Sequence, residues 1–218
     1  MTTNWSCFLF DLDGTIIDSA PGITASLAWT FERLGRSIPT PAELLRYVGP
    51  PILDSFRDLA GMTIAEATHA LEVYRPHYLQ TGVFNSAVYS GMPALLKRIH
   101  HSGIPISLAT SKPELPATTA LDFYALANYF TVITGASADE VRSRKADVVA
   151  EALRRLAAAG ADTGNPVMVG DREHDVHGAA EHGVPTIFVE WGYGPVAEQV
   201  GAIAVADTAE ELGMLLLG

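Results

Sequence analysis

Cysteine is nearly absent. The one present, Cys7, excludes an internal disulfide and any cysteine-based zinc site. It lies beside Phe8, Leu9 and Phe10, which makes it a small core residue rather than a reactive thiol. Basic residues are also few: 14 Lys and Arg stand against 25 Asp and Glu, a net charge of −11. So acidic a chain repels a nucleic-acid backbone, and no nucleic-acid polymer is expected as partner. Small anionic substrates stay open, because a local metal or lysine reverses the sign at one site. No window reaches ~18 uninterrupted apolar residues, so no membrane span is expected. No basic start leads into an apolar run, and Asp11 and Asp13 break the first one early. A signal peptide is therefore not expected, and the location read from the sequence is cytoplasmic. Internal repeats, low-complexity tracts and long charge runs are lacking too.

What is there is a foldable chain of 218 residues, 48% of them hydrophobic. Domains run to ~100–150 residues, which allows one large domain or a core with a smaller insert. Trp5 to Phe10 is a short apolar run that stops at Asp11-Leu-Asp-Gly14, as a buried strand would. Similar runs cover Ile104 to Ala109, Phe130 to Ile133, Val167 to Val169, Thr186 to Val189 and Ala202 to Val205. Helical patterns separate them: Pro93 to Ser102, Lys145 to Ala159, Asp175 to His182, and a last helix capped by Thr208. This alternation predicts an α/β fold, a three-layer Rossmann-like parallel sheet with helices on both faces. From 16 to 85 no strand pattern appears. Helical stretches replace it at Ile23 to Leu34, Pro41 to Tyr47, Ile52 to Ala60 and Thr63 to Leu79, the last with a potential break at Pro76. The expected organisation is a core of residues 1–15 and 86–218 carrying a small helical second domain of residues 16–85. Within that insert, Trp29, Phe31 and Leu34 are expected to form the core.

In open α/β sheets, ligands bind beyond the carboxyl ends of the strands. The residues falling there are Asp11, Asp13, Thr110, Ser111, Asp171 and Asp175, with Lys145 opening the helix before the fourth strand. Crowded carboxylates raise one another's pKa, and a hard divalent cation resolves the conflict. Mg²⁺ suits oxygen ligands and is commonly held by one or two carboxylates plus a substrate phosphate. Lys145 and Thr110 would help to cradle a phosphoryl group, whose transfer depends mainly on charge neutralisation. A carboxylate can serve as nucleophile, and a second acid can protonate the leaving alcohol and then activate water. Taken singly, each residue has a plainer use. An Asp at a strand end caps a helix, a Thr makes a local turn, and a Lys at a helix start is a solvated charge. His174 and His177 flank Asp175 among hard oxygen ligands that do not suit zinc. Arg172 and Lys112 adjoin the site as phosphate contacts or as solvated charges, and Arg46 in the helical stretch is a candidate substrate contact.

Phe10-Asp-Leu-Asp-Gly-Thr15, Leu108-Ala-Thr-Ser-Lys-Pro113, Lys145 and Val169-Gly-Asp-Arg-Glu-His-Asp175 occur in that order. Together they resemble the four motifs of the haloacid dehalogenase (HAD) superfamily over essentially the whole chain. The helical insert is similar to that family's type 1 cap. Ile17-Asp-Ser19, Gly49-Pro-Pro51, Trp191-Gly-Tyr-Gly194 and Asp207 to Leu212 are similar to its phosphoglycolate-phosphatase-like branch. The resemblance implies Asp11 as phosphorylated nucleophile and Asp13 as general acid and base. It implies Mg²⁺ ligation by Asp11, Asp13 (through its carbonyl) and Asp171, with Asp175 supporting the metal directly or through water. Thr110, Lys145 and Gly14 would contact the phosphate, and Ser111 and Arg46 are further candidate substrate contacts. The implied activity is a Mg²⁺-dependent phosphatase, monomer or homodimer, acting on a small phosphorylated metabolite: 2-phosphoglycolate first, a nucleoside monophosphate second. Dehalogenating members lack an acid at the position of Asp13. Phosphonate-cleaving members need a cap lysine, and residues 16–85 contain none. A phosphoglucomutase would share every core motif. A phospho-acceptor signalling domain or a silent binding protein are rivals from other classes, opposed by the long insert and the complete acid set.

Overall fold

Cys7–Phe10 forms β1, and all four side chains are buried. Cys7 and Leu9 join one apolar cluster, Phe8 and Phe10 the other. This is the alternation of a pleated strand covered on both faces. The computed structural model describes residues 5–218. The expectation about a signal peptide falls in part on residues 1–4, which lie outside the described residues.

In chain order β1 is followed by β2 (Ile17–Asp18), α1 (Ala20–Arg33), α2 (Pro41–Leu45), α3 (Ile52–Asp58) and α4 (Ile64–Gln80). Then come β3 (Ala87–Val88), α5 (Met92–Ser102), β4 (Ile106–Pro113), α6 (Glu114–Phe123), β5 (Val132–Ala136) and α7 (Lys145–Ala158). The chain closes with β6 (Pro166–Gly170), α8 (Glu173–Ala180), β7 (Thr186–Val189), β8 (Ala204–Ala206) and α9 (Ala209–Leu217). Six strands make one sheet in the order β5-β4-β1-β6-β7-β8, and every pairing in it is parallel. Val148, Val149, Ala152 and Leu156 of α7 with Ala179 of α8 cover one face. Leu95, Leu96 and Ile99 of α5, Leu121 of α6, and Leu212 and Leu216 of α9 cover the other. The expected three layers are present.

Helices α1 to α4 form a unit with their own aromatic centre. Thr40 and Thr63 each close a capping box, with Glu43 and Glu66 as the reciprocal acids. Phe31, Tyr47, Phe56 and Tyr74 then meet edge to face, with centroids 6.0 to 6.4 Å apart. Three expectations need correction. The stretch from 16 is not purely helical, because β2 pairs antiparallel with β3 at the base of the insert. Two residues per strand are too few for a periodicity to register in the sequence. Pro76 does not break α4, which runs on with Ala67, Ala70, Leu71, Tyr74 and Tyr78 buried on one side. Packing of that face outweighs the one lost backbone hydrogen bond. Trp29 is not core. It is 37% exposed and stacks on His77 with ring centroids 4.0 Å apart, whereas Phe31 is buried.

Candidate active site

Strand order changes direction at β1, which has β4 on one side and β6 on the other. Such a switch point opens a crevice beyond the carboxyl ends of the strands. Register fills it. Phe10 pairs with Leu108 and with Val169, so Asp11, Thr110 and Asp171 come side by side, one or two residues further on. Strand β4 also runs further than its apolar run suggests. Between Ala109 and Pro113 its register against β5 shifts, so Thr110, Ser111 and Lys112 form an irregular stretch of the strand. A bulge of this kind re-aims side chains, here beside the acids.

Asp11, Asp171 and Asp175 offer carboxylate oxygens that lie within 4.8 Å of one another, and all three are buried. Lys145 reaches in from the first position of α7. Its Nζ stands 2.8 Å from Asp11 Oδ1 and 2.7 Å from Asp175 Oδ1, and it donates to the Ala109 carbonyl at 2.9 Å. The approach of α7 depends on Gly178 of α8, where a Cβ would lie 2.7 Å from the Lys145 Cβ. Gly14 has φ +81°, and a Cβ there would sit 2.3 Å from Asp171 Oδ2, so both conformation and space demand glycine. Asp175 also caps α8, accepting the Arg172 N–H at 3.0 Å. Its plainer role and its place in the cluster therefore coexist.

Charge in this crevice is unbalanced. Burial pushes the Asp11 carboxyl above its ordinary range, and Lys145 opposes that rise. Burial works against the charge on Lys145, yet Asp11 and Asp175 hold its pKa above the usual lysine value. Asp171 is pushed up to about 8 by burial, with repulsion from Asp175 and Asp11 added. Three buried carboxylates with one ammonium make a donor set that fits a hard divalent cation. Without a cation, this cluster has a readable consequence. The folded pKa of Asp171, about 8, stands above its unfolded value of ~3.9, so the folded chain binds the extra proton. That stabilisation is complete below the unfolded pKa and is lost as pH rises through the folded one. Melting temperatures in chelator should therefore fall between about pH 4 and about pH 8. Added Mg²⁺ should raise the curve and flatten it. A curve indifferent to both pH and Mg²⁺ would count against a metal at these acids.

Asp13 lies apart from the triad. Both its carboxylate oxygens accept from Lys112 Nζ at 3.0 Å. Lys112 is thus a buried partner of Asp13 rather than a solvated charge, and its ammonium lies 4.6 Å from the centroid of the Tyr78 ring. Thr110 is buried, and its Oγ1 accepts the Lys112 N–H at 3.2 Å. Ser111, also buried, lines a cavity that begins at Asp13. Arg46 does not join them. It is exposed and lines a cleft with His174, Arg172 and Tyr193, outside the cavity that Asp13 and Ser111 line. Arg172 is not solvated either: it donates to the Val48 carbonyl at 2.6 Å and pairs with Glu198 at 2.7 Å, pinning the helical insert to the core. The backbone N–H of Tyr193 donates to Asp171 Oδ2 at 2.7 Å, and its hydroxyl donates to Asp18 Oδ1 at 2.7 Å. That hydroxyl also accepts from Ser19 and Ala20 at the start of α1. Tyr193 and Lys112 are contributions that residue type alone does not reveal. The glycines on either side of Tyr193 were the available signal for a close approach.

Residues 8–189 match the family model described as haloacid dehalogenase-like hydrolase. A tyrosine-protein kinase, PtkA, of Mycobacterium tuberculosis is 39% identical over 187 residues, 85% of this chain and 62% of that relative. The chain thus spans less than two thirds of the mycobacterial protein's length. A 5'-nucleotidase of Pseudomonas aeruginosa is 36% identical over 186 residues, 85% of this chain and 83% of the relative. Phosphoglycolate phosphatases of three other Pseudomonas species are similar at 30% to 33% identity. Among solved structures, a predicted phosphatase from Clostridium acetobutylicum superposes with a TM-score of 0.90 at 34% identity, covering 97% of this chain and 98% of that one. Among the described residues, no helix is long and apolar enough to cross a membrane.

Proposed function

Since the chain belongs to the haloacid dehalogenase-like hydrolase family, we propose that it is a Mg²⁺-dependent phosphatase of small phosphorylated metabolites, working through an aspartyl-phosphate. The observation that carries this reading is the pairing of Asp11 with Lys145 at 2.8 Å inside a buried triad of acids. Asp11 attacks phosphorus, forming an acyl phosphate while the bond to the alcohol oxygen breaks. Asp13 gives that oxygen its proton. In the second half Asp13 takes a proton from water, whose oxygen attacks phosphorus and frees the Asp11 carboxylate. Lys145 offsets the charge on Asp11 and on the phosphoryl oxygens, and Thr110 donates to one of them. Lys112 holds both oxygens of Asp13, so an incoming phosphate that draws the ammonium away leaves the acid free to act. Asp11, Asp171, Asp175 and the Asp13 carbonyl would hold Mg²⁺, which when bound supplies positive charge to the phosphoryl group.

Residues 16–85 would act as the cap, excluding water over the site. Arg75 of α4 supports a closed arrangement, since it donates to the Ala138 carbonyl at 3.2 Å and pairs with Glu140. The relatives' names make 2-phosphoglycolate and nucleoside 5'-monophosphates the first substrates to assay. Release of inorganic phosphate should require Mg²⁺, stop in chelator and return when Mg²⁺ is restored. Full activity in chelator would sink the metal's role, and no release from any ester would sink the phosphatase reading.

A further inference from the structure

Asp13 faces two ways. Beyond its pair with Lys112 it forms part of the wall of a cavity of about 180 Å³ between α1, α4 and the start of α6. Ile23, Leu71, Tyr74, Tyr78, Leu79 and Leu115 stand in its wall, together with the polar Ser111 and Glu140. Tyr74 and Tyr78 are buried and lie parallel, with centroids 5.4 Å apart and planes 9° from each other. Among the described residues only two cations line this space, and both are taken: Lys112 by Asp13 at 3.0 Å, Arg75 by Glu140. An anionic tail such as a carboxylate would therefore compete with acids already in place. A hydroxyl-rich alcohol would lose its water to a mostly apolar wall whose neutral hydrogen-bonding groups are Ser111 and the hydroxyls of Tyr47, Tyr74 and Tyr78. An apolar cavity of ~150 Å³ accepts one benzene ring. The acid that protonates the departing oxygen stands at this wall, so the carbon skeleton of the alcohol must begin here.

We propose that the phosphate ester cleaved by this protein carries a single aromatic ring on its alcohol side, seated between α4 and α6 next to Asp13. The proposal rests on the phosphatase reading above and names its substrate class. The proton passes from Asp13 to the alcohol oxygen as the phosphorus–oxygen bond breaks, and the ring stays in the apolar cavity until the alcohol leaves. A nucleoside monophosphate would present its sugar here and 2-phosphoglycolate its carboxylate, and neither matches such a wall.

Benzyl phosphate and ethyl phosphate release primary alcohols and differ chiefly in the ring. With Mg²⁺ present, kcat/KM for benzyl phosphate should exceed that for ethyl phosphate and for 2-phosphoglycolate at least tenfold. Calorimetry with the uncleavable benzylphosphonate and ethylphosphonate should show at least a tenfold lower Kd for the former. Leu79→Trp on α4 and Leu115→Trp on α6 narrow the cavity from opposite elements. Leu115 is 65% exposed, so that variant keeps the test alive if the other fails to fold. In each variant that melts normally, both ratios should fall toward one. Equal Kd values for the two phosphonates, faster turnover of 2-phosphoglycolate, or unchanged ratios in a folded variant would each overturn the ring site. Ring-selective binding without phosphate release from any ester would keep the site and overturn the phosphatase reading instead.

Discussion

Replacing Asp11 with asparagine should lower the rate of phosphate release at least ~10³-fold, because an amide cannot attack phosphorus to form an acyl phosphate. The fold should survive. Lys145 keeps Asp175 at 2.7 Å and the Ala109 carbonyl at 2.9 Å, so the ammonium is not stranded. The substitution also removes one of three carboxylates that repel one another, so thermal stability in chelator should hold or rise. Phosphate release and a melting curve on the same preparation separate the two effects. A folded variant that retained more than a few per cent of the wild-type rate would show that another group is the nucleophile.

The second large effect is expected at Lys145. Changing it to methionine keeps the bulk of the stem and deletes the ammonium. Asp11 and Asp175, 4% and 0% exposed, then lose their shared cation. Removing one partner of a buried ion pair costs ~3–5 kcal/mol. For a chain of this size each kcal/mol moves Tm by ~2–4 °C, so a fall of ~6–20 °C is expected. The sign with pH follows from the same cause. Unpaired buried carboxylates have raised folded pKa values, so the loss should be smallest in acid, where they are protonated, and grow as pH rises. Mg²⁺ should recover part of the stability by binding the folded state alone, and activity should stay low because the phosphoryl charge is no longer offset. Differential scanning calorimetry at two pH values checks this, and an unchanged Tm would mean that the pair contributes nothing to the folded state.

Much of this architecture was legible without coordinates. An apolar run such as Cys7–Phe10 can be stable only when covered on both faces, and that requirement already specifies a central strand in a layered sheet. The acids at the ends of such runs are equally readable, since chain order places them at one edge. The two-residue strands β2 and β3 were invisible for want of length. The partner of Lys112 was invisible because nothing near it in sequence marks it: Asp13 lies 99 positions away.

Local chemistry along the chain therefore determined the fold class and the set of acids, because strand periodicity and turn residues act over a few neighbours. Tertiary structure alone decided which cations are free and which are bound. It gave Lys145 to Asp11 and Asp175, Lys112 to Asp13, and Arg172 to Val48 and Glu198. It also gathered a mostly apolar cavity beside that acid and left Arg46 outside it. Ion pairing and enclosure depend on distances of a few ångströms between remote segments, and only the packing of helices and sheet sets those distances.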